Sequence, residues 1–248
     1  MTFGSTFGRV FSPTFQSKSQ AKKGGGWWNL DGTLTSCILA YQAKGVASLA
    51  ASKVDLSGNG YNIDGGSDPS WNTSTGWEFN GSSHFLLASG VPIYNGDFTL
   101  AIFCKPVTIS SPAFGATLFS VNPVDGANAN KGWLVKSEQE IRTQKLGYTQ
   151  RAVANYTSTI ATPTTDTVIM LTKSGTSVNY YAGANSQSIT VSATYYNTVT
   201  AGILIGATYK NSTETADYYK NLIYALAYYN EVLSSGNRSS LMTAMAAL

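Results

Sequence analysis

The stretch that most constrains the fold is the run 222–229, Leu-Ile-Tyr-Ala-Leu-Ala-Tyr-Tyr, near the end of the 248-residue chain. Every position in this run is apolar or aromatic, so both alternating faces of a strand would be hydrophobic. This composition suits a central strand buried on both sides, or a strand that closes a sandwich. Ser234 or Ser235 can then cap a short helix whose apolar face includes Leu241 and Met245. The sequence therefore predicts a last strand in one of these two positions, followed by a small docked helix.

Composition favours one large all-β domain. Only 12% of the residues are charged, about half the usual share in globular proteins. Asn, Ser, Thr, Gly and Tyr replace them, as the bends and exposed strand faces of turn-rich β proteins require. The formal net charge of +3, without a clustered basic face, argues against a nucleic-acid partner. No apolar run approaches the roughly 18 residues that a membrane span needs.

Residues 1–26 lack the pattern of a domain. Phe3, Phe7, Phe11 and Phe15 recur every four residues, but the glycines and the proline between them oppose a stable helix. An extended arm has little to bury against itself, so its phenylalanines need a partner surface. We therefore predict that these four side chains anchor the arm to another molecule and that a polar linker follows. A disordered leader is the alternative.

Five short motifs follow one another between residues 35 and 248. They are DLSGNG at 55–60, GWEFNG at 76–81, GDFTLAIFCKP at 96–106, a hairpin at 166–184 and the closing strand and helix at 221–248. In this order they resemble laminin-G-like, concanavalin A-like jelly-roll domains, with Phe103 where Trp is commoner and Ala182 where Asn is usual. The resemblance implies an all-β fold for residues 27–248, an antiparallel β-sandwich with a short C-terminal helix, behind the extended N-terminal arm.

The arm itself resembles the opening of some structural proteins of tailed bacteriophages that carry such a domain. This resemblance implies a non-enzymatic virion protein, acting in capsid decoration, in a head fibre or on the tail, with the jelly roll displayed outward. Its partners would be other virion proteins and host-surface glycans, and a homo-oligomer is left open. The N-terminus lacks the apolar core of a secretory signal, so we expect synthesis in the host cytoplasm and localisation to the virion. A free-standing carbohydrate-binding lectin is the alternative function.

The sequence predicts no catalytic or metal site. Glu138 and Glu140 would share one strand face, but the extended acidic cluster of glycosidases with this fold is absent. His84 is the only histidine and accompanies no nucleophile motif. Cys37 and Cys104 lie in apolar runs and are predicted to be two buried thiols, although a disulfide between them is left open.

No cofactor is predicted, but calcium stays open as a weaker hypothesis. Asp64, Asp68 and Asp125 lie in glycine-rich loops and offer the oxygen ligands that calcium prefers.

Tyrosine doublets suggest where a ligand would bind. Neighbouring residues of a strand point to opposite faces, so each doublet can place one ring inside and one outside. Exposed rings suit sugars and protein partners alike. The predicted contact residues are Trp71, Trp133, Tyr181, Tyr196 and Tyr219. Ordinary core packing is the alternative for each of them.

Overall fold

The computed structural model describes residues 25–32, 34–93, 96–107, 116–122, 133–137, 140–146, 152–191, 199–209 and 215–248. Within them lie a 3-10 turn (Leu30–Gly32), the helices α1 (Leu49–Ser52) and α2 (Ser235–Ala246), and seventeen strands. The strands are β1 (Cys37–Gln42), β2 (Gly65–Ser67), β3 (Ser70–Asn72), β4 (Gly76–Asn80), β5 (Phe85–Ile93), β6 (Phe98–Cys104), β7 (Thr117–Asn122), β8 (Trp133–Ser137), β9 (Glu140–Leu146), β10 (Ala152–Ala161), β11 (Thr167–Ser174), β12 (Ser177–Ala182), β13 (Asn185–Thr190), β14 (Val199–Ile205), β15 (Thr208–Tyr209), β16 (Thr215–Ala216) and β17 (Lys220–Tyr229).

Two antiparallel sheets form the sandwich. Sheet A has the strand order β13-β12-β11-β6-β17-β4-β3, and β1 also pairs with β17, beyond the end of β4. Sheet B has the order β10-β9-β8-β7-β14-β5-β2, and β15 pairs with β16 separately. One core joins inward residues of both sheets, such as Ile102 from sheet A and Ile203 from sheet B. The predicted antiparallel sandwich with a short C-terminal helix is confirmed.

Strand β17 is central, which is one of the two positions that its composition suits. It pairs with β6 on one side and with β4 and then β1 on the other. Residues 223–229 are all buried. Leu226 and Tyr228 belong to the core between the sheets, whereas Tyr224 and Tyr229 belong to a second core on the outer face of sheet A. Both faces of the strand are therefore covered.

Helix α2 and the N-terminal segment cover the outer face of sheet A. Leu241 and Met245 are fully buried there, and the Ser234 hydroxyl caps the helix by accepting a bond from the Asn237 amide. Trp27 and Trp28 pack partly buried against the same core. This second core explains why β17 needs apolar residues on both faces.

Two hydrogen bonds tie the N-terminal segment to sheet A. The Tyr229 hydroxyl donates to the Trp28 carbonyl at 2.8 Å, and Trp27 Nε1 donates to Gln42 Oε1 at 2.9 Å. Phe3, Phe7, Phe11 and Phe15 lie outside the described residues, so the anchoring arm stays a prediction.

The nine-residue strand β5 is absent from the strand pattern that the sequence predicts. Its sequence contains Gly90 and Pro92, which ordinarily mark turns. Gly90 adopts a positive φ of 69°, and the pairing with β14 shifts register nearby. β2 pairs only with residues 85–87, so the far end of β5 borders a single strand and tolerates a residue without an amide hydrogen.

Cys37 and Cys104 are separate, buried and unpaired thiols. Burial raises the pKa of the Cys104 thiol to about 12, and burial likewise raises the pKa of Cys37 above its ordinary value. They behave as small core hydrophobes. In the described part of the chain, no helix is long and apolar enough to cross a membrane.

A candidate ligand-binding groove

A polar groove lies near the β3 edge of sheet A. It has a cavity volume of about 490 Å³. Seven residues line it, drawn from β3, β4, the loop after β4 and the start of β17: Ser70, Glu78, Phe79, Asn80, His84, Lys220 and Asn221. Most of these side chains are polar, so the groove suits a ligand rich in hydrogen-bonding groups.

Alternation along β4 builds the wall of the groove. Trp77 and Phe79 point into the core, whereas Glu78 and Asn80 are exposed on the outer face. In the register with β17, Asn80 pairs with Lys220, two residues from the partner of Glu78. Paired residues share a face, so Glu78, Asn80 and Lys220 project from the same side of the sheet.

The loop after β4 is held by one side chain. Asn80 Oδ1 accepts hydrogen bonds from the backbone amides of Ser82, Ser83 and His84, at 2.9, 2.9 and 3.1 Å. Its Nδ2 donates to the Ser83 hydroxyl at 2.9 Å. His84 Nδ1 lies 3.4 Å from the Glu78 carbonyl, which orients the ring weakly. Asn80 therefore acts as a positioning residue for this side of the groove.

Gly81 determines where the Lys220 side chain runs. A Cβ at Gly81 would lie 2.7 Å from Lys220 Cβ and 3.2 Å from its Cγ. The lysine stem thus packs directly against the glycine backbone, where any other residue would displace it. Gly81 also has a φ of 77°, which favours glycine.

The charged groups of the groove have no hydrogen-bond or ion-pair partner within the described structure. Neither the Glu78 carboxylate nor the Lys220 ammonium makes a hydrogen bond or ion pair with the described part of the chain. Both side chains are exposed. Asn221 Oδ1 accepts a bond from the Leu222 amide at 3.1 Å. The groove thus offers a strong acceptor and a strong donor close together.

The structure corrects the prediction for Tyr219. This ring is fully buried, packs edge-on against Phe79 at 6.1 Å and donates its hydroxyl to the Lys105 carbonyl. It is a core residue and cannot contact a ligand, because the inward member of the Tyr218–Tyr219 doublet is the second and not the first. Burial raises its pKa well above the ordinary value.

Trp71 also has a structural role. Its ring packs partly buried against the core between the sheets, and its Nε1 donates to the Ala43 carbonyl at 2.8 Å. The preceding residue, Ser70, is exposed and lines the groove. Alternation thus places the indole on the opposite face of β3 from the groove.

Tyr181 is the predicted contact residue whose ring is partly exposed on the outer face. The guanidinium of Arg238 lies 5.2 Å from its ring centroid. Its neighbour Tyr180 is fully buried, so this doublet has one ring inside and one on the outer face, as predicted. The doublet Tyr228–Tyr229 leaves no ring exposed, because α2 and the N-terminal segment bury the outward ring as well.

Trp133 lies in β8, but its side chain is outside the described structure, as is all of Tyr196. Glu138 and Asp125 also fall outside it, and so does the Glu140 side chain. Predictions for these residues stay predictions.

The carboxylates of the acidic loop residues Asp64 and Asp68 already bond to groups of the protein. Asp64 accepts from the Ser89 amide at 3.2 Å, and Asp68 forms an ion pair with Lys53. Over the described ranges, no group of three or more His, Cys, Asp or Glu could hold a metal ion.

The DLSGNG turn is built around one buried carboxylate. Asp55 accepts from the amides of Ala40, Ser57 and Tyr61 at 3.1, 2.9 and 3.1 Å, and from the Ser57 hydroxyl at 2.8 Å. All of its acceptor positions face protein donors. The motif therefore stabilises the turn and β1, and does not form a ligand site.

The sequence alone does not predict the groove. Glu78 and Lys220 are 142 positions apart in the chain and meet only through the β4–β17 pairing. The available signal was the alternation Trp-Glu-Phe-Asn at 77–80, which marks two outward polar positions.

Comparison with known proteins places the fold. The chain matches no family model and no curated protein. It is similar to a botulinum neurotoxin type C structure described with its dependence on two ganglioside molecules, at 13% identity and a TM-score of 0.60 over 87% of this chain and 53% of that chain. It is also similar to the binding domain of botulinum neurotoxin serotype C1, at 13% identity and a TM-score of 0.58 over 85% of this chain and 52% of that chain. A third similar structure is Trypanosoma rangeli sialidase, at 13% identity and a TM-score of 0.52 over 86% of this chain and 33% of that chain.

The chain thus spans about half the length of the toxin chains and a third of the sialidase. At this level of identity the likeness establishes a shared jelly-roll-like sandwich and not a shared activity.

Proposed function

We propose that this domain is a non-enzymatic carbohydrate-binding β-sandwich and that the groove is its binding site. The observation that carries the proposal is the pair Glu78 and Lys220, exposed on one face at diagonal positions of the β4–β17 pairing, without partners in the described structure.

The chemistry of the pair matches sugar hydroxyls. Each hydroxyl both donates and accepts a hydrogen bond. The Glu78 carboxylate accepts only, and the Lys220 ammonium donates only, so neighbouring hydroxyls can satisfy both groups together. Ser70, which pairs with Glu78, extends the same pattern along the groove. Desolvating these side chains is offset only by a ligand that completes their bonds, which selects against apolar molecules.

We expect monovalent binding to be weak. Tight sugar sites commonly stack a pyranose ring on an aromatic face, but the aromatic residue of the groove, Phe79, is 1% exposed and belongs to the core. Binding then rests on a few solvent-exposed hydrogen bonds, each worth roughly 0.5–1.5 kcal/mol net. A dissociation constant on the order of 1 mM is the expected range.

The absence of an enzymatic role is part of the proposal. Glycoside hydrolysis ordinarily needs two carboxyl groups that flank the scissile bond. The residues lining the groove include one, Glu78. A sugar bound there would meet no second acid from the lining.

The structural neighbours support the same ligand class. The toxin structure is described by its interaction with gangliosides, and a Trypanosoma rangeli sialidase structure, with a TM-score of 0.51, holds 2,3-difluorosialic acid. These ligands belong to those proteins. For this chain they support carbohydrate as the class and leave its identity to experiment.

The finer proposal places the domain on a bacteriophage virion. Phe3, Phe7, Phe11 and Phe15 would dock the arm on a capsid, head-fibre or tail protein, and the sandwich would face host-surface glycans. The sequence of the arm is its support. Deleting residues 1–26 keeps Trp27 and Trp28, so the truncated protein should remain folded and bind sugar but fail to join particles. Normal incorporation would contradict the anchoring role, and sugar binding by a protein that joins no particle would favour the free-standing lectin.

A glycan array followed by NMR titration tests the binding proposal. Glu78→Gln and Lys220→Gln should each abolish the titration shifts at unchanged melting temperature. Glu231→Gln is the control, because Glu231 is an exposed carboxylate beyond the far end of β17, away from the groove, where it accepts a bond from the Ser36 hydroxyl. Running the array with and without a chelator tests the calcium hypothesis. Silence on every glycan, or full binding by both groove variants, would contradict the proposal.

A further inference from the structure

Two complete Asn-Gly pairs lie within the described residues, at 59–60 and 80–81. An asparagine that precedes glycine loses ammonia readily, because glycine has no side chain to hinder its own amide nitrogen from attacking the asparagine side chain. The dipeptide alone therefore gives both asparagines the same reactivity. The structure holds their two side chains in opposite ways.

The Asn80 side chain is folded over the backbone that follows it. Its Oδ1 accepts bonds from the amides of Ser82, Ser83 and His84 at 2.9, 2.9 and 3.1 Å, so Cγ lies beside the Gly81 amide nitrogen. When a nucleophile adds to Cγ, negative charge forms on Oδ1 and meets three donors that are already in place. The side chain is also exposed, so water reaches it.

The Asn59 side chain is held by its other end. Its Nδ2 donates to the carbonyls of Cys37 and Ile38 at 2.9 and 2.8 Å. Loss of ammonia would break both bonds and leave a carboxylate oxygen facing two carbonyl oxygens, without a proton between them. At this position the fold opposes the reaction.

From this contrast we infer that Asn80 is a site of spontaneous deamidation, with water as the co-reactant, and that the reaction weakens the groove. The Gly81 nitrogen forms a bond to Asn80 Cγ, and the Cγ–Nδ2 bond breaks to release ammonia, which carries away the proton of the Gly81 nitrogen. Water then opens the five-membered imide ring. Its hydroxyl joins a ring carbonyl carbon, and its other proton goes to the Gly81 nitrogen. Addition at Cγ gives aspartate, and addition at the main-chain carbonyl carbon gives isoaspartate.

An aspartate product fits the loop after β4 as well as asparagine does. Its carboxylate accepts the same three amide bonds, which become charge-assisted. The Ser83 hydroxyl accepts a bond from Asn80 Nδ2 at 2.9 Å, and it can donate to the carboxylate instead, because a hydroxyl does both. The loop therefore keeps its bonds through the reaction.

The effect on the groove rests on its proposed function. Asn80 pairs with Lys220 across β4 and β17, so the two side chains project from the same face. A carboxylate at position 80 competes with a sugar for the Lys220 ammonium. An exposed ion pair of this kind should lower the affinity for sugar roughly two- to five-fold.

Peptide mass spectrometry of the folded full chain, incubated at mildly alkaline pH, tests the modification. The peptide that contains Asn80 should gain about one dalton, the difference between water and ammonia. It should do so at least roughly 10-fold faster than the peptide that contains Asn59. In guanidinium chloride the two rates should become similar, because only the shared dipeptide remains. Equal rates in the folded chain, or an Asn80 that reacts more slowly folded than unfolded, would overturn the inference.

A matched pair of variants tests the fit of the product. Asn80→Asp should keep the melting temperature of the natural chain. Asn59→Asp should lower it, with a folding equilibrium constant reduced roughly 10-fold or more. Destabilisation by Asn80→Asp comparable to that by Asn59→Asp would show that the loop resists the reaction and would count against the site.

Titration with free sugar separates this inference from the proposed function. Asn80→Asp should bind the sugar two- to five-fold more weakly than the freshly prepared natural chain. Unchanged affinity would overturn the effect on the groove. A fresh natural chain that binds no glycan would contradict the proposed function instead, and the mass measurement would still decide the deamidation.

Discussion

Gly206 links the two sheets beside Phe79, and its replacement by alanine is the sharpest test of the packing. It follows β14, has a φ of 83°, donates its amide to the Leu118 carbonyl at 3.2 Å and accepts from the Tyr219 amide at 2.8 Å. These bonds hold the backbone in place. An added Cβ would lie 2.3 Å from Phe79 Cε1 and 2.4 Å from its Cδ1.

Two costs add in Gly206→Ala. A left-handed backbone costs a residue with a Cβ roughly 1–2 kcal/mol. Overpacking costs typically about 1–3 kcal/mol, and Phe79 has no free space to retreat into because it is 1% exposed and packed on Tyr219. The expected destabilisation is therefore about 2–5 kcal/mol, less a few tenths for the stiffer unfolded chain. At about 2–4 °C per kcal/mol for a chain of this size, the melting temperature falls by roughly 4–20 °C.

Gly58→Ala is the matched control. Gly58 has a φ of 87°, and nothing lies within 4 Å of its added Cβ. It therefore carries the backbone cost alone, about 1–2 kcal/mol. The difference between the two variants in urea denaturation measures the clash with Phe79.

A double variant completes the cycle. Phe79→Leu removes the ring atoms that the new methyl group meets, so Gly206→Ala should cost less in that background by about 1 kcal/mol or more. Equal stabilities of Gly206→Ala and Gly58→Ala, or no coupling with Phe79→Leu, would refute the packing argument.

Three further predictions concern the second core, a buried thiol and the turn after α1. Tyr229→Phe removes the bond to the Trp28 carbonyl, so stability should fall by about 1 kcal/mol and amide exchange at residues 25–32 should quicken; unchanged exchange would show that the bond does not hold the segment. Burial raises the pKa of Cys104 from 9.0 to about 12, so the unfolded chain binds fewer protons above pH 9, and stability should fall by up to about 1.4 kcal/mol per pH unit until pH 12. In Cys104→Ala this slope should be shallower in urea denaturation at pH 8–10, and an identical slope would contradict the assignment. Asp55→Asn turns an amide donor towards backbone donors, which should cost about 1–3 kcal/mol, and an unchanged melting temperature would count against the structural role of the turn.

Local patterning predicts much of the strand framework. The apolar run 222–229 identifies the central strand, because a strand with two hydrophobic faces must be covered twice. Alternation at 76–81 likewise marks β4, with Trp77 and Phe79 inward. The serine cap before α2 is equally local, since a hydroxyl bonds to an amide three residues away.

Tertiary context decides how exposed each tyrosine is. Tyr219 and Tyr229 are both buried, for different reasons: one ring points into the sandwich, and the other lies under α2 and the N-terminal tryptophans. A doublet pattern states only that neighbours face opposite ways. Whether a second layer covers the outer face depends on elements about 200 residues apart in the chain, as the bond from Tyr229 to Trp28 shows.

The alternation of β4 and the apolar face of the capped helix follow from periods of two and of 3.6 residues within one segment, so the amino-acid sequence predicts them directly, and the order of the five motifs predicts the sandwich through its resemblance to jelly-roll domains. The tertiary structure alone places Glu78 and Lys220 on one face of sheet A and buries Tyr219. Those outcomes depend on which strands become neighbours, and that choice is made by the packing of the whole sandwich and not by any local run of residues.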